Sequence, residues 1–550
     1  MKPLASLAPL ILPIFAGAND DSSSIPRPTA TLESGVVFGV QTSLPNALWP
    51  VKKFLGVPYA GKPERFSRAK KHRGWKKARG ATEFGPSCHQ YFVDNDVAPG
   101  KDINKGLFGG NSTESEDCLF INAFAPASPP PKGGRPVVVF IHGGGWQQGN
   151  GILDLSGFAG YEDIVTFSFN YRTNVFGFPN APGMAPDAVN LGLYDQRLAI
   201  EWVQANAAAF GGDPQKVTIW GESAGALSVD IHVNAYGDDG PPPFRAASMF
   251  SGQMSVGFLG STMSATDHTY WNALARVAGC DDVQTQLACL RRIPAEKLIE
   301  LMGEAGAAFM PIVDNVTLPS GRAERWREGK TAKVPVLMGT IAQEGRALVN
   351  RNINLTEFVE AYLPEELVNA TQREKILKVY AADAALKTDF DTAAAIYTDY
   401  FWQCPQGILA NISASIDNPT WRYYFNASVT SLLPPEYAWL GKFHGSDALL
   451  LFGTPSFEGD SGGFALTPQL YTLANYLRGV VGRFVRNPAG GPGWPAVASR
   501  YAPFDVANLG DVGGDIGVVA GATVVDERVL DERCGLYEDI YPLIEEFALS

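Results

Sequence analysis

Apolar runs rich in β-branched residues alternate with helical patterns through the middle of the chain. The run RPVVVFIHGGGW, residues 135–146, is continuously apolar and ends in glycines, which is typical of a strand buried on both faces of a mostly parallel sheet. Residues 163–172 form another such run, and residues 195–212 follow with helical spacing and a glycine stop at Gly211. This alternation predicts an α/β fold with a large, mostly parallel central sheet flanked by helices.

The rest of the pattern adds further strands and two blocks of helix. Residues 34–43 and 51–60 resemble strands joined by a loop, and short apolar strands are predicted at 334–340 and 421–428. Helical patterns dominate from 272 to 303 and from 355 to 412, and an amphipathic helix that begins at Pro468 ends near Asn487. Because no internal repeat and no long linker interrupts the pattern, we expect a single domain over residues 19–550, with the helical blocks as insertions.

The composition is that of a globular protein with an acidic balance. The 550 residues are 45% hydrophobic and 18% charged, and the formal net charge is −13 at pH 7. Nucleic acid binding needs a net basic surface, so this charge argues against a nucleic acid partner. One run, Arg65–Arg79, is basic although the chain as a whole is acidic. We expect this run to form a solvated face, with contact to an anionic surface as the alternative.

The first residues predict a signal peptide. A lysine precedes an apolar run from Leu4 to Phe15, and Ala16-Gly17-Ala18 has the small-x-small pattern of a cleavage site. A membrane anchor needs about 20 apolar residues, more than this run provides. The C-terminal EEFALS indicates neither a hydrophobic anchor nor a retention signal. We therefore expect a signal peptide over residues 1–18, a secreted, extracellular product and no stable membrane anchor.

Cysteines and glycosylation sequons agree with export. The six cysteines suit an oxidising compartment, although the sequence alone leaves about fifteen pairings open. Six sequons predict N-glycosylation. They lie at Asn111, Asn315, Asn354, Asn369, Asn411 and Asn426.

Two serines lie between glycines at the spacing of a nucleophile motif. Ser223, in GESAG, directly follows the apolar run VTIW and precedes a helical pattern, which is the context of a nucleophile elbow. Ser461, in GDSGG, resembles the motif of trypsin-like proteases, but it follows a loop-like stretch and the upstream pattern is α/β. The sequence therefore favours Ser223, and we expect Gly459–Gly463 to form a flexible surface turn.

A nucleophilic serine needs a base, and three of the six histidines follow Ser223. His232 lies nine residues further along the same helical pattern, too far to reach the hydroxyl. His268 lies in a polar run that indicates a surface position. His444 follows the strand predicted at 421–428 and fits a base on a loop at the carboxyl edge of the sheet.

The base in turn needs an acid that holds the imidazole in one tautomer. Glu344 follows the strand predicted at 334–340 and fits this role. Asp314 is the rival, although it resembles a turn residue next to the sequon at Asn315.

A glycine-rich turn after the predicted strand at 135–141 can bind an oxyanion. The backbone N–H groups of His142–Gly145 can face inward, and Ala224 adds another after the nucleophile. A dinucleotide-binding loop is the alternative, but GGGWQQG does not fit G-x-G-x-x-G. No two histidines have ligand-like spacing beside a cysteine or carboxylate pair, so we expect neither a metal nor another cofactor.

Together these motifs resemble the type-B carboxylesterase/lipase family, which includes cholinesterases and secreted fungal esterases and lipases. The resemblance covers nearly the whole chain after the predicted signal peptide. It is carried by FLGVPYA, SEDCLFINAF, VVVFIHGGGW, NYRTNVFGF, the stretch from NLGLYDQ to GESAGA, KFHGSD and FVRNP. It implies an α/β-hydrolase fold and a serine carboxylic-ester hydrolase that acts on a small-molecule ester through an acyl-enzyme.

The resemblance also implies roles for individual residues. The triad would be Ser223, Glu344 and His444, and the oxyanion donors would be Gly144, Gly145 and Ala224. Glu222, Ser251 and Asp447 would form a buried acidic cluster that tunes the site. Three disulfides are implied: Cys88–Cys118, closing a flap-like loop over the site, Cys280–Cys289, and Cys404–Cys534.

One departure from the family bears on the substrate. Cholinesterases carry a tryptophan in the first disulfide loop, which binds a quaternary ammonium by cation–π attraction. Residues 88–118 contain no tryptophan, so choline esters are not expected as dedicated substrates. Tyr91, Phe92 and Phe108 remain candidates for an aromatic gorge.

Three functions remain open at this point. The first is an esterase, including one that acts on a secondary-metabolite ester. The second is a triacylglycerol lipase in which the loop 88–118 opens at a lipid interface. The third is an adhesion protein without activity, which predicts loss of the serine or the histidine, and both are present.

Overall fold

A mixed sheet of eleven strands organises the protein in a computed structural model. The model describes residues 27–92, 105, 112–237, 240–257, 267–452, 467–497, 505–510 and 522–544. The predicted signal peptide, Phe108, the sequon at Asn111 and the turn predicted at Gly459–Gly463 lie outside these residues.

The described strands fall into two sheets. In chain order they are β1 (Thr29–Leu32), β2 (Gly35–Phe38), β3 (Val40–Thr42), β4 (Val51–Pro58), β5 (Arg79–Gly80), β6 (Phe120–Pro126), β7 (Arg135–Ile141), β8 (Val165–Phe169), β9 (Gly212–Glu222), β10 (Ala246–Phe250), β11 (Val336–Ile341), β12 (Thr420–Phe425), β13 (Asp505–Leu509) and β14 (Ala522–Asp526). The large sheet has the order β14-β13-β12-β11-β10-β9-β7-β8-β6-β4-β3, and β1, β2 and β5 form a separate small sheet. The six successive pairings from β13 to β8 in this order are parallel. The pairings β14–β13, β8–β6, β6–β4 and β4–β3, towards the two edges, are antiparallel.

Helices connect the strands and fill the two predicted helical blocks. In chain order the described α-helices are α1 (Ser156–Glu162), α2 (Asn174–Gly177), α3 (Leu191–Asn206), α4 (Ala224–Ala235), α5 (Thr269–Val277), α6 (Gln286–Arg292), α7 (Ala295–Ala305), α8 (Arg322–Arg327), α9 (Leu355–Tyr362), α10 (Ala370–Ala381), α11 (Asp389–Tyr397), α12 (Cys404–Ser415), α13 (Ser446–Phe452), α14 (Pro468–Arg486) and α15 (Glu527–Leu530). A π-helical segment, Thr398–Gln403, joins α11 to α12. None of the helices in the described ranges is long and apolar enough to cross a membrane.

The central strand β7 is buried on both faces, as its continuous apolar run predicts. Val137, Val139 and Ile141 belong to a hydrophobic cluster that includes residues of α3 and α4. Val138 and Phe140 point the other way, into a second cluster that includes residues of α1 and α14. Successive side chains of a strand alternate between faces, so a strand covered on both sides must be apolar throughout. The mostly parallel sheet between helical layers is the predicted fold class.

The boundaries of the elements differ from the predictions by a few residues. The strands predicted at 334–340 and 421–428 are Val336–Ile341 and Thr420–Phe425. The helix predicted within 195–212 begins earlier, at Leu191, and continues as a 3-10 turn to Phe210 before Gly211 adopts a φ of 83°. The helix α14 ends at Arg486, next to the predicted end at Asn487.

All six cysteines are paired in the combination that the family resemblance implies. The disulfides join Cys88 to Cys118, Cys280 to Cys289, and Cys404 to Cys534. The third spans 130 residues and ties the C-terminal segment to the start of α12.

The basic run Arg65–Arg79 is largely solvated, with one exception at its start. Lys70, Lys71 and Lys76 are exposed. Arg65 instead is half-buried, where it pairs with Glu116 and donates to the carbonyl oxygens of Leu290 and Ile293. The expected solvated face therefore holds for the middle of the run but not for Arg65.

Candidate active site

Three polar side chains follow three parallel strands at the same edge of the sheet. Ser223 comes directly after β9, Glu344 lies three residues after the end of β11, and His444 lies in the connection between β12 and α13. The carboxyl ends of parallel strands meet at one edge, so residues far apart in the chain are brought together there.

These side chains form a hydrogen-bonded line. The Oγ of Ser223 lies 2.8 Å from Nε2 of His444, and Nδ1 of His444 lies 2.6 Å from Oε2 of Glu344. An ionised carboxylate can only accept, so Nδ1 carries a proton, and in the neutral ring Nε2 accepts from the serine hydroxyl. The other oxygen of Glu344 accepts from the backbone N–H of Ile341 at 2.8 Å, which fixes the carboxylate in a fully buried position.

Ser223 occupies a strained backbone turn. Its φ of 54° and ψ of −127° are unusual for a residue with a side chain, and its N–H donates to the carbonyl of Phe250. The flanking glycines make the turn feasible: a Cβ on Gly221 would lie 2.2 Å from the Gly225 carbonyl carbon, and one on Gly225 would lie 2.0 Å from the Ile141 oxygen. The turn exposes the hydroxyl at the N-terminus of α4.

The glycine turn predicted to bind an oxyanion lies against Ser223. A Cβ on Gly143 would come within 2.9 Å of the Ser223 Cβ, and one on Gly144 would come within 2.4 Å of the Gln148 oxygen. Gly144 and Gly145 have φ values of 98° and 62°, and a Cβ on Gly145 would meet nothing within 4 Å. Their backbone N–H groups form no hydrogen bond with any other residue in the described part of the chain.

The loops that carry Glu344 and His444 are fastened to each other. The backbone N–H of Gln343 donates to the carbonyl of Lys442, and the Lys442 N–H donates to Oε1 of Gln343. Gly441 has a φ of 60°, and a Cβ added to it would lie 2.3 Å from Oε1 of Gln343, so only glycine fits there. This reciprocal pairing sets the distance between the acid and the imidazole.

Carboxylates surround the ring of His444. Oε1 of Glu222 lies 3.6 Å from Nε2, and Asp447 accepts a hydrogen bond of 2.7 Å from the Tyr423 hydroxyl. Burial alone would lower the pKa of His444, but the charges of Glu344, Glu222 and Asp447 raise it to about 9. Burial raises the pKa of Glu222 to about 8, with His444 opposing and the other carboxylates adding to the shift. Burial likewise raises the pKa of Asp447 to about 6.

A model of the carboxylesterase family matches residues 26–507. The chain belongs to the carboxylesterase family. The match spans the strands and loops that carry Ser223, Glu344 and His444, and it confirms the resemblance that the sequence motifs indicate.

Curated relatives of this family member include two fungal lipases. Lipase 1 of Geotrichum candidum is 32% identical, over 77% of this chain and 83% of its own length. Secreted lipase 5 of Gibberella zeae is 31% identical, over 87% of this chain and 90% of its own length. Neuroligin-3 of Mus musculus is 28% identical, over 79% of this chain and 58% of its own length. The family match and the lipase relatives support a carboxylic ester hydrolase.

The candidates that the sequence argued against lie elsewhere in this carboxylesterase-family fold. His232 is buried on α4 and contacts Oε1 of Gln196 at 2.9 Å, where burial lowers its pKa to about 3. His268 donates to the carbonyl of Asn180. Asp314 accepts from three successive backbone N–H groups, those of residues 316–318, and is the turn residue that its sequence context indicates.

Ser251 differs from the other two members of the implied acidic cluster. Its hydroxyl is buried and has no hydrogen-bond partner among the described residues. Its φ is 47°, and its N–H donates to the carbonyl of Gly339. Glu222 lies beside the imidazole and Asp447 acts on it electrostatically, whereas the Ser251 hydroxyl makes no hydrogen bond with Ser223, His444 or Glu344.

Trp402 belongs to the site but was missed by sequence reasoning. Its ring centroid lies 4.5 Å from that of His444, with an interplanar angle of 44°. It projects from the π-helical segment Thr398–Gln403, within a block that the sequence predicts only as helix. Hydrophobic periodicity could not single it out, because its neighbours Tyr400 and Phe401 are buried aromatics as well.

Proposed function

We propose that this protein hydrolyses carboxylic esters through an acyl-enzyme formed on Ser223. His444 takes the proton of the serine hydroxyl as the oxygen attacks the ester carbonyl, and Glu344 holds the imidazole and stabilises the imidazolium. The carbonyl oxygen becomes an anion and is bound by the N–H groups of Gly144, Gly145 and Ala224.

The remaining steps complete the acylation and then release the acid. His444 delivers its proton to the leaving alcohol as the tetrahedral intermediate collapses to the acyl-enzyme. A water molecule then attacks the acyl carbonyl, His444 takes its proton, and the acid leaves as Ser223 regains its hydrogen. When ionised, the buried carboxylates of Glu222 and Asp447 favour the imidazolium and stabilise the charge that forms in both steps. Because its pKa is raised to about 8, Glu222 contributes its charge above that pH.

The observation that carries this proposal is the pair of distances at His444: 2.8 Å to the Ser223 hydroxyl and 2.6 Å to the Glu344 carboxylate. The test is hydrolysis of a soluble p-nitrophenyl ester by a Ser223→Ala variant. We expect kcat to fall by at least about 10⁴-fold. A Ser415→Ala variant, which changes an exposed serine at the end of α12, should keep full activity. Substantial hydrolysis by Ser223→Ala would contradict the proposal.

A triacylglycerol lipase is the more specific form of this activity. The relatives named as lipases favour it. Rates on a triacylglycerol below and above the concentration at which it forms an emulsion distinguish the two forms. A sharp rise at that concentration supports a lipase, and saturation below it supports an esterase.

We also propose that the protein is secreted and glycosylated. The three disulfides suit an oxidising compartment, and one relative is named as a secreted lipase. Among the described sequons, Asn315, Asn354, Asn369 and Asn411 are exposed, whereas Asn426 is half-buried and accepts from Lys442. Expression in a eukaryotic secretory host should release into the medium a protein whose first residue follows Ala18. We expect the exposed sequons to be glycosylated to a higher occupancy than Asn426.

A further inference from the structure

The segment that follows β8 holds the glycine turn and the ends of the Cys88–Cys118 loop. The Asn170 side-chain amide donates to the carbonyls of Pro86 and Cys118, and its oxygen accepts from the Gly151 N–H at 2.7 Å. The Tyr171 hydroxyl donates to the carbonyl of His142 at 2.9 Å, directly before the glycines. This part of the chain therefore contacts the glycine turn, which lies against Ser223, and the described ends of the Cys88–Cys118 loop.

Asn174, at the start of α2, makes the most extensive of these contacts. Its backbone N–H donates to the carbonyl of Trp146 at 2.6 Å. Its side-chain amide donates to the carbonyl of Gln147 at 3.0 Å and to the carbonyl of His89 at 2.8 Å. The side chain is fully buried. One residue thus fixes two consecutive peptide groups at the end of the glycine turn and one in the disulfide loop.

Further bonds join the turn to the described start of the loop, residues 88–92. The N–H of Tyr91 donates to the same Gln147 carbonyl at 2.8 Å, and the N–H of Gly149 donates to the Gln90 side chain at 2.7 Å. The carbonyl of Gln147 therefore accepts from both Tyr91 and Asn174.

Asparagine satisfies both the hydrogen-bonding and the backbone requirements of position 174. One amide nitrogen supplies two donors for two carbonyl oxygens. The backbone φ is 46°, in the left-handed region that asparagine tolerates better than most residues. Aspartate would place a charge against the two carbonyl oxygens and donate nothing, and glycine would keep the backbone but lose both donors.

We propose that Asn174 is a positioning residue for the oxyanion turn, and that it ties this turn to His89, at the start of the Cys88–Cys118 loop. The inference rests on the proposed function, because it concerns the N–H groups of Gly144 and Gly145. Donors to an oxyanion must be held within about 0.5 Å of their productive positions. Loss of one such donor costs about 100- to 1,000-fold in kcat, so a partial displacement should cost about 10- to 100-fold.

The test compares Asn174→Gly with Asn180→Gly. Asn180 is a matched control, since it is also buried, has a φ of 42° and donates to a carbonyl, that of Asp267, at 2.7 Å. We expect Asn174→Gly to lose about 10- to 100-fold in kcat with KM within about threefold of wild type, and Asn180→Gly to keep its kcat. Asn174→Asp should behave like Asn174→Gly or worse.

Affinity for a trifluoromethyl ketone, which forms an oxyanion adduct with the serine, provides the second readout. Its loss in Asn174→Gly should match the loss in kcat, because both depend on the same N–H groups. The inference would be overturned if the kcat of Asn174→Gly stayed close to that of wild type. It would also be overturned if Asn174→Gly failed to fold while Asn180→Gly folded. A third contradicting result is a loss of kcat that is equal in both variants and follows their melting temperatures. Failure of the proposed function would look different, since Ser223→Ala would then remain active.

Discussion

His444 stands between two carboxylates with different roles. Glu344 binds Nδ1 directly and fixes the ring, whereas Glu222 lies 3.6 Å from Nε2, the nitrogen that faces Ser223. When ionised, both carboxylates favour the protonated imidazole, which in the proposed mechanism is the form produced when Ser223 gives up its proton. The same charges make the imidazolium harder to deprotonate, so the proposed mechanism gains stabilisation of its intermediate at the expense of activity at low pH.

The pH dependence of kcat/KM tests this balance. His444 must be neutral to accept the serine proton, so activity should fall as the pH falls through its pKa, which is raised to about 9 from the ordinary value near 6.5. Glu222→Gln removes one negative charge, and we expect the acid limb to move to lower pH by about one unit. Glu365→Gln, an exposed change in another part of the chain, is the control. An acid limb that stays in place or moves upward in Glu222→Gln would contradict the assignment.

At the scale of elements, the elbow depends on close contact between α4 and the end of β7. Gly225 lies in the first turn of α4 next to Ala224, and the Ile141 carbonyl occupies the space where a Cβ would be. This close contact between α4 and β7 places the glycine turn, which follows Ile141, against Ser223.

Gly225→Ala should therefore damage the site more than the fold. The added Cβ would lie 2.0 Å from the Ile141 oxygen, so α4 and β7 must separate, and we expect a loss of about 1 to 3 kcal/mol of stability together with most of kcat. Gly157→Ala in α1 is the matched control, because its Cβ would meet Arg478 at an ordinary 3.7 Å. Urea unfolding and steady-state kinetics on both variants measure the two effects. Full activity of Gly225→Ala would show that the elbow tolerates this separation.

The sequence predicted those elements whose local signals are strong. The strand-to-helix turn at Ser223 was predictable because an apolar strand, two glycines and a helical pattern meet there. The position of Glu344 after a strand was predictable because that strand is short and apolar. β10, AASMF, was not predicted, since its small residues give no clear period. Trp402 was not predicted either, because its position over His444 depends on a π-helical segment that hydrophobic periodicity does not reveal.

At the scale of the whole molecule, the C-terminal segment packs against β12 and against the π-helical segment that carries Trp402. The fully buried guanidinium of Arg422 in β12 pairs with Asp531, and the Gln403 side chain donates to the same carboxylate at 2.7 Å. Gln403 directly follows Trp402, and the Cys404–Cys534 disulfide joins the same two regions. The sequence alone left this pairing open among about fifteen combinations, because it joins segments 130 residues apart; the family resemblance supplied it.

Removal of this disulfide should destabilise the protein more than removal of the short one. In the chain-entropy model a loop of 130 residues corresponds to about 5 kcal/mol and a loop of 9 residues to about 2.5 kcal/mol. We therefore expect the double variant Cys404→Ser/Cys534→Ser to have a clearly lower melting temperature than Cys280→Ser/Cys289→Ser, and a lower kcat as Trp402 loses its support. Equal effects of the two pairs would contradict the role given to the C-terminal segment.

The central claim is that Ser223 becomes acylated during ester hydrolysis. Mass spectrometry of the protein after reaction with a p-nitrophenyl phosphonate, which forms a stable adduct in place of the acyl-enzyme, tests it most directly. We predict a single phosphonyl group on the peptide that contains Ser223, complete loss of esterase activity in proportion to labelling, and no labelling of the Ser223→Ala variant. A label on another residue, or esterase activity that persists in fully labelled protein, would contradict the claim.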